Sequence, residues 1–305
     1  LAGVQLPNPV MTASGCAGSG RELDQFFDVS ALGALVTRSI TLDPRAGHPG
    51  PRIVETPSGV LGSIGLQGTG VDGFLATDLP WLAQRRARAV VSIAGSTLGE
   101  YGELARRVGN SSGVTAVEVN LDGASPAVRE RSFSWDPFQA ARVASVVRRD
   151  VPRGIPVLVK LSPDVTSIVD VADAVVEAGA DGLVLLNTAL GVAVDPGSLR
   201  PTLAGVTGGL SGPAIRPLAV RCVWQVHQAM PDVPIVGVGG IRSGFDALEF
   251  LLAGASAVQV GTVVFHDPSA PMRIVDQLRE ELSQRGITAV ADTIGRAHRP
   301  EGEQL

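Results

Sequence analysis

Eight short runs of apolar, largely β-branched residues recur along the chain, and each gives way to small or polar residues. They are VMTASG (10–15), ALVTRSI (34–40), VVSIAGS (90–96), AVEVNL (116–121), PVLVKLS (156–162), GLVLLNT (182–188), PIVGVGG (234–240) and AVQVGT (257–262). Runs of this length, bounded by turn residues, read as strands. Their near-continuous apolar character is that of parallel strands buried on both faces. Between the later runs lie helical stretches, SIVDVADAVVEAGA (167–180), AIRPLAVRCVWQVHQAM (214–230) and GFDALEFLLAGA (244–255), each ending near a glycine or proline. Eight strand–helix units in 305 residues predict an α/β fold of the (β/α)8 TIM-barrel type, with an open doubly wound sheet as the alternative. No Pro/Gly/Ser-rich linker divides the chain, so the reading is one barrel domain over residues 1–305. Residues 42–89, rich in Pro and Gly, read as an insertion with its own hairpin, and residues from about 286 to 305 as a polar C-terminal tail.

Composition removes several classes of function. The chain is 45% hydrophobic and 18% charged, which supports a large core and argues against disorder. A net charge of −5 gives no sequence-independent attraction to nucleic acid, and the arginine clusters QRRARA and VRRD read as solvated helix faces. No run of about 18 apolar residues is present, so no transmembrane helix is expected. Two cysteines, Cys16 and Cys222, are too few for a disulfide framework or an iron–sulfur cluster, and the expected compartment is the cytoplasm. Both read as small buried hydrophobes, although Cys16 follows the first strand closely enough to face a cavity at its end. The four histidines are scattered, none in metal-ligand spacing, so no metal is expected.

In a barrel, function gathers at the C-terminal ends of the strands. Those ends are Ala13-Ser14-Gly15, Arg38-Ser39, Ser92, Asn120, Lys160, Asn187-Thr188, Gly239-Gly240 and Gly261-Thr262. Two glycine-rich turns at the last two strands suit a phosphate group, because a Cβ there would keep backbone N–H groups from reaching it. Lys160 closes a fully apolar run, a position from which a lysine forms a Schiff base or places a cation beside an anionic cofactor. Asn120, Asn187 and Thr188 offer the neutral donors and acceptors that read a heterocycle.

The segments NPVMTASG, RIVETPSGVLGSIGLQ, IAGST, VKLSP, NTALG, VTGGLSGPAIRPLA and GVGGIRSGFDALEFLLAGASAVQVGT, in that order, closely resemble class 1B dihydroorotate dehydrogenase catalytic subunits, from about residue 1 to about 285. The resemblance implies an FMN-binding barrel with the cofactor held by Ala13, Ser14, Gly15, Ser39, Ser92, Asn120, Lys160, Thr188, Gly212, Gly239, Gly240, Gly261 and Thr262. It places Lys160 near the flavin N1–C2=O edge, and the substrate against Asn120, Asn187, Thr188, Gly62 and Ser63. It also implies a homodimer and a separate FAD/iron–sulfur electron-transfer subunit, which would be a second polypeptide.

The family's reaction takes a hydride to the flavin and a proton to a cysteine in a loop written N-[IL]-S-C-P-N. The corresponding residues here are Asn120, Leu121, Asp122, Gly123, Ala124 and Ser125, so glycine stands at the base position. The family's T-K-S lysine is Arg38, the asparagine of its L-N-[SA]-[IM]-G-L motif is Gly62, and the asparagine of its third strand is Ser92. The expectation is therefore an FMN-dependent oxidoreductase acting on a CH–CH bond of a small carboxylate or heterocyclic substrate other than dihydroorotate, with Lys160 and Arg38 in the site. The alternatives are dihydroorotate oxidation with a relocated base (Ser125, Ser132, Ser134, Asp122 or Cys16), a non-catalytic flavin-binding subunit, and a flavin-free aldolase-type barrel.

Overall fold

A computed structural model describes residues 1–122 and 133–300. The eight expected strands are all present as β1 (Val10–Thr12), β2 (Leu35–Val36), β5 (Ala89–Ile93), β6 (Val114–Asn120), β7 (Val157–Leu161), β8 (Gly182–Leu185), β13 (Ile235–Val238) and β14 (Ala257–Val260). They form one parallel sheet in the order β1-β14-β13-β8-β7-β6-β5-β2. A parallel bridge between Met11 and Ala34 joins the two ends, so the sheet closes into a barrel rather than staying open.

Several strands are shorter than the sequence runs suggest, because their last residues leave the ladder and become the loops at the barrel mouth. The run 10–15 pairs only as far as Thr12, and the run 234–240 only as far as Val238. Period-two alternation decides what fills the lumen. Met11, Val36, Val90, Ala116, Leu158, Val184, Val236 and Ala257 form an apolar layer, covered from the far end by Leu1, Ala2 and Leu6. One step further along the same strand faces come Ser92, Glu118, Lys160 and Gln259, all buried and all polar. The barrel thus has an apolar floor and a polar layer directly above it.

A second sheet was not legible from the strand runs. The hairpin of β3 (Ile53–Thr56) and β4 (Gly59–Gly62) joins β12 (Thr207–Ser211) and β9 (Ala189–Val192) in an antiparallel sheet of order β3-β4-β12-β9. A small hairpin of β10 (Val194–Asp195) and β11 (Arg200–Pro201) lies between β9 and β12. Thr207–Ser211 reads TGGLS, too glycine-rich to register as a strand from propensity, and it is ordered by pairing on both sides. Within residues 42–89 the hairpin occupies only part of the segment. The rest includes α1 (Gly70–Gly73), a π-helical turn Phe74–Asp78 and α2 (Leu79–Gln84).

The outer helices are α3 (Leu98–Gly109), α4 (Pro137–Asp150), α5 (Ile168–Glu177), α6 (Arg216–Ala229), α7 (Gly244–Leu252) and α8 (Ala270–Gln284). Four begin at side-chain caps: Thr97, Asp136, Ser167 and Ser243 each accept from the backbone N–H three residues on. Arg148, expected on a solvated face, instead ties α4 to the barrel through Asp181 (2.6 Å) and the carbonyls of Val151, Pro152 and Ile155. Residues 286–300 turn back along α7 through two short 3-10 turns, and His298 stacks on Trp224 of α6 at 3.6 Å.

Two predictions follow from this scaffold. At α7 the Ser243 hydroxyl and the Asp246 carboxylate form a reciprocal capping box, so Ser243→Ala should cost about 1 kcal/mol of stability in chemical denaturation. The His227 imidazole, 5.0 Å from the ring of His298, has its pKa pushed below the ordinary value by burial and by that neighbour. A histidine held neutral by the fold stabilises it fully above its unfolded pKa, about 6.5, and progressively less as pH falls below that value. Hydrogen-exchange protection at residues 286–300, corrected for the intrinsic pH dependence of exchange, should therefore fall on going from pH 7 to pH 5, and His227→Gln should reduce that fall.

Candidate active site

A cavity of about 510 Å³ opens at the C-terminal ends of the strands. The loop after β1 supplies Ser14, Gly15 and Cys16 to it, and the end of β2 supplies Arg38 and Ser39. From β6 and β7 come Asn120, Asp122 and Lys160, and from the loop after β8 come Asn187 and Thr188. The second sheet forms a wall with Gly62 and Ser63.

Hydrogen bonds join several of these residues into one chain. Ser92 and Ser39 share a hydrogen bond at 3.0 Å, and Asn120 Nδ2 donates to Ser39 Oγ at 3.0 Å. Asn187 Nδ2 donates to Asn120 Oδ1 at 3.1 Å and to Asp122 Oδ2 at 2.6 Å, while Ser134 Oγ donates to Asp122 Oδ1 at 2.5 Å. The far end of β6 is pinned by the Tyr101 hydroxyl, which donates to the Asn120 carbonyl at 2.6 Å. The two amides expected to face a heterocycle are thus engaged with each other and with a carboxylate.

The expected residues divide into three groups. Ser14, Gly15, Arg38, Ser39, Gly62, Ser63, Asn120, Asp122, Lys160, Asn187 and Thr188 line the cavity. Ala13 and Ser92 are buried beneath it. Gly212, Gly239, Gly240, Gly261 and Thr262 do not line it but gather beside it in mutual contact. A Cβ on Gly240 would lie 2.8 Å from the Gly212 carbonyl oxygen, and one on Gly212 would lie 3.5 Å from Thr262 Cγ2. A Cβ on Gly261 would meet Ala13 Cβ at 3.1 Å and Cys16 Sγ at 3.3 Å, which links this cluster to the cavity edge. Gly212 and Gly240 also carry positive φ of 95° and 70°, which side-chain-bearing residues rarely adopt. Ser125, Ser132 and Gly123 lie outside the described residues.

Four cavity features were missed or misjudged from sequence. Glu118 and Gln259 lie with Lys160 in the polar layer of the lumen. Gln259 Nε2 donates to Glu118 Oε2 at 2.6 Å, and Glu118 Oε1 lies 3.7 Å from Lys160 Nζ. A charged residue at the inward position of the apolar run AVEVN was the available signal. His48, considered only as a metal ligand, lines the cavity with Nδ1 3.1 Å from Ser63 Oγ. Cys16, expected in the core, is half-buried and lines the cavity. Burial pushes its thiol up to about 11, against the opposing effect of Lys160, so it is protonated at neutral pH. Cys222 is in the core of α6, as expected.

Lys160 is almost fully buried and donates no hydrogen bond to a described residue. A buried ammonium with unmet donors at a cavity floor calls for an acceptor above it. In the adjoining glycine cluster the Cβ positions of Gly212 and Gly240 are taken up by neighbouring backbone, so these turns present main-chain rather than side-chain groups. Together they fit an anionic ring cofactor with a phosphate tail.

The dihydroorotate dehydrogenase family profile matches residues 1–282. The chain is 50% identical to the dihydroorotate dehydrogenase B (NAD(+)) catalytic subunit of Geotalea daltonii, over 97% of this chain and 96% of the relative. It is 48% identical to the protein of that name from Geobacter sulfurreducens over the same shares, and 46% identical to that from Desulforamulus reducens over 95% of each chain. With the closed barrel and the strand-end cavity, these matches establish that the chain belongs to the dihydroorotate dehydrogenase family, FMN-dependent oxidoreductases acting on CH–CH groups.

Proposed function

We propose that this chain is an FMN-binding catalytic subunit that oxidises or reduces a C–C bond of a small carboxylate-bearing or heterocyclic substrate other than dihydroorotate. The observation that carries the reading is the Asp122 carboxylate, which stands among the cavity amides and accepts from Asn187 at 2.6 Å. A heterocycle with its own carbonyls would have to compete with a charged acceptor for that donor, and charge-assisted bonds are the stronger ones. Gly123, at the position of the family's proton-accepting cysteine, supports the same reading from the sequence. Arg38, at the cavity edge, supplies a planar guanidinium for a substrate carboxylate.

In this reading Gly212, Gly239, Gly240, Gly261 and Thr262 hold the cofactor phosphate, and Lys160, Ser39 and Asn120 hold the ring. FMN, when bound, supplies two-electron chemistry. Lys160 would hold the ring by charge, and its ammonium would favour negative charge there. Asp122 holds Asn187 and Ser134 and is the described carboxylate best placed to exchange a proton with a ligand; Ser125 is the other candidate on this loop. A second polypeptide carrying FAD and an iron–sulfur cluster takes the electrons, consistent with relatives named as catalytic subunits. The chain works as a homodimer in the cytoplasm; among the described residues no helix is long and apolar enough to cross a membrane.

A second reading, oxidation of dihydroorotate itself, is favoured by the printed names of the relatives. Anaerobic addition of dihydroorotate to the flavin-loaded protein separates the two. The first reading expects the flavin band to persist; rapid bleaching would reject it and establish the second. The phosphate assignment is tested by Gly240→Val, whose Cβ would press on the Gly212 carbonyl. FMN affinity should fall roughly tenfold or more, the scale of one lost charge-assisted hydrogen bond, in a fluorescence titration.

A further inference from the structure

The barrel lumen holds a buried charge pair whose geometry is unusual for a salt bridge. Lys160, on β7, and Glu118, on β6, are almost completely shut from solvent, yet their charged atoms approach only to 3.7 Å. A direct charge-assisted bond would be about 2.8 Å long. The other carboxylate oxygen is held at 2.6 Å by Gln259. Gln259 belongs to β14, which lies four places from β6 in the eight-stranded order and therefore across the lumen. The strand register sets Asn120, not Glu118, beside Lys160, so the carboxylate and the ammonium are not ladder partners. Glu118 Oε1 accepts no hydrogen bond among the described residues.

We propose that Glu118, tethered by Gln259, is a positioning residue that tempers the charge Lys160 presents to the cavity and leaves the lysine's N–H donors facing upward. The inference rests on the reading of Lys160 as the cation beside the flavin. A carboxylate held 3.7 Å from that cation lowers the positive potential at the cavity floor without capturing the donors. In a water-excluded lumen such an opposing charge acts strongly. The tether matters because a freed carboxylate would close on the ammonium and draw it down from the cavity.

The experiment is the equilibrium of the bound flavin between its oxidised and two-electron reduced forms, read against a reference dye at fixed pH in the flavin-loaded protein. Glu118→Gln keeps the shape and the Gln259 contact but removes the negative charge. It should move the equilibrium toward the reduced form about tenfold, equivalent to about 30 mV for a two-electron couple. Lys160→Met should move it the opposite way, and Glu118→Asp should stay near the parent. An unchanged equilibrium in Glu118→Gln, or a shift in the direction of Lys160→Met, would overturn the proposal. Should Glu118→Gln not retain flavin, Gln259→Leu provides the second arm. It leaves both charges, releases the tether and should favour the oxidised form; no shift there also overturns the proposal. If the parent protein binds no FMN, the flavin reading itself is what has failed.

Discussion

The ammonium of Lys160 sits on a polar layer inside a barrel whose next layer down is wholly apolar, and the architecture of the site follows from that boundary. Below it, Leu158, Ala116 and Ala257 fill the lumen with hydrocarbon. Above it, the residues two positions on along the same strands are Lys160, Glu118 and Gln259. Period-two alternation makes the change abrupt, since one step along a strand face exchanges a methyl-lined floor for a charged one. The apolar floor excludes water from beneath the pair, so its charges act on what lies above with little screening.

The barrel itself was legible because its strands are apolar on both faces and end together in small and polar residues. The second sheet was not. Its strands β9 and β12 carry glycines where propensity expects β-branched residues, and only tertiary pairing makes them strands. In the site, most strand-end residues read from the sequence do line the cavity, because leaving the ladder is what turns a strand end into a cavity wall. The buried partners Glu118 and Gln259 escaped notice for the opposite reason. They lie within strands, where a polar residue in an apolar run reads as an exception until the lumen is seen. His48 escaped because its contact with Ser63 joins residues fifteen apart around the hairpin's edge.

In the reading proposed above, the chain would keep the residues that hold a flavin and differ in those that meet the substrate. Asp122 is central to that division. Its carboxylate collects Asn187 and Ser134, and through Asn187 it reaches Asn120, Ser39 and Ser92. A ligand entering this cavity meets a preformed network with a negative charge in it, and Arg38 as the positive counterpart at the edge. Such a pattern selects by which hydrogen bonds a ligand can replace, because an unpaired buried polar group costs more than a paired one contributes.

A crystal structure of the protein with FMN bound tests the central claim most directly. The account predicts the phosphate on the backbone of Gly212, Gly240 and Gly261, and Lys160 Nζ donating to the ring while Glu118 stays bonded to Gln259. A phosphate seated elsewhere, or a lysine turned down into a direct bond with Glu118 and away from the ring, would contradict it.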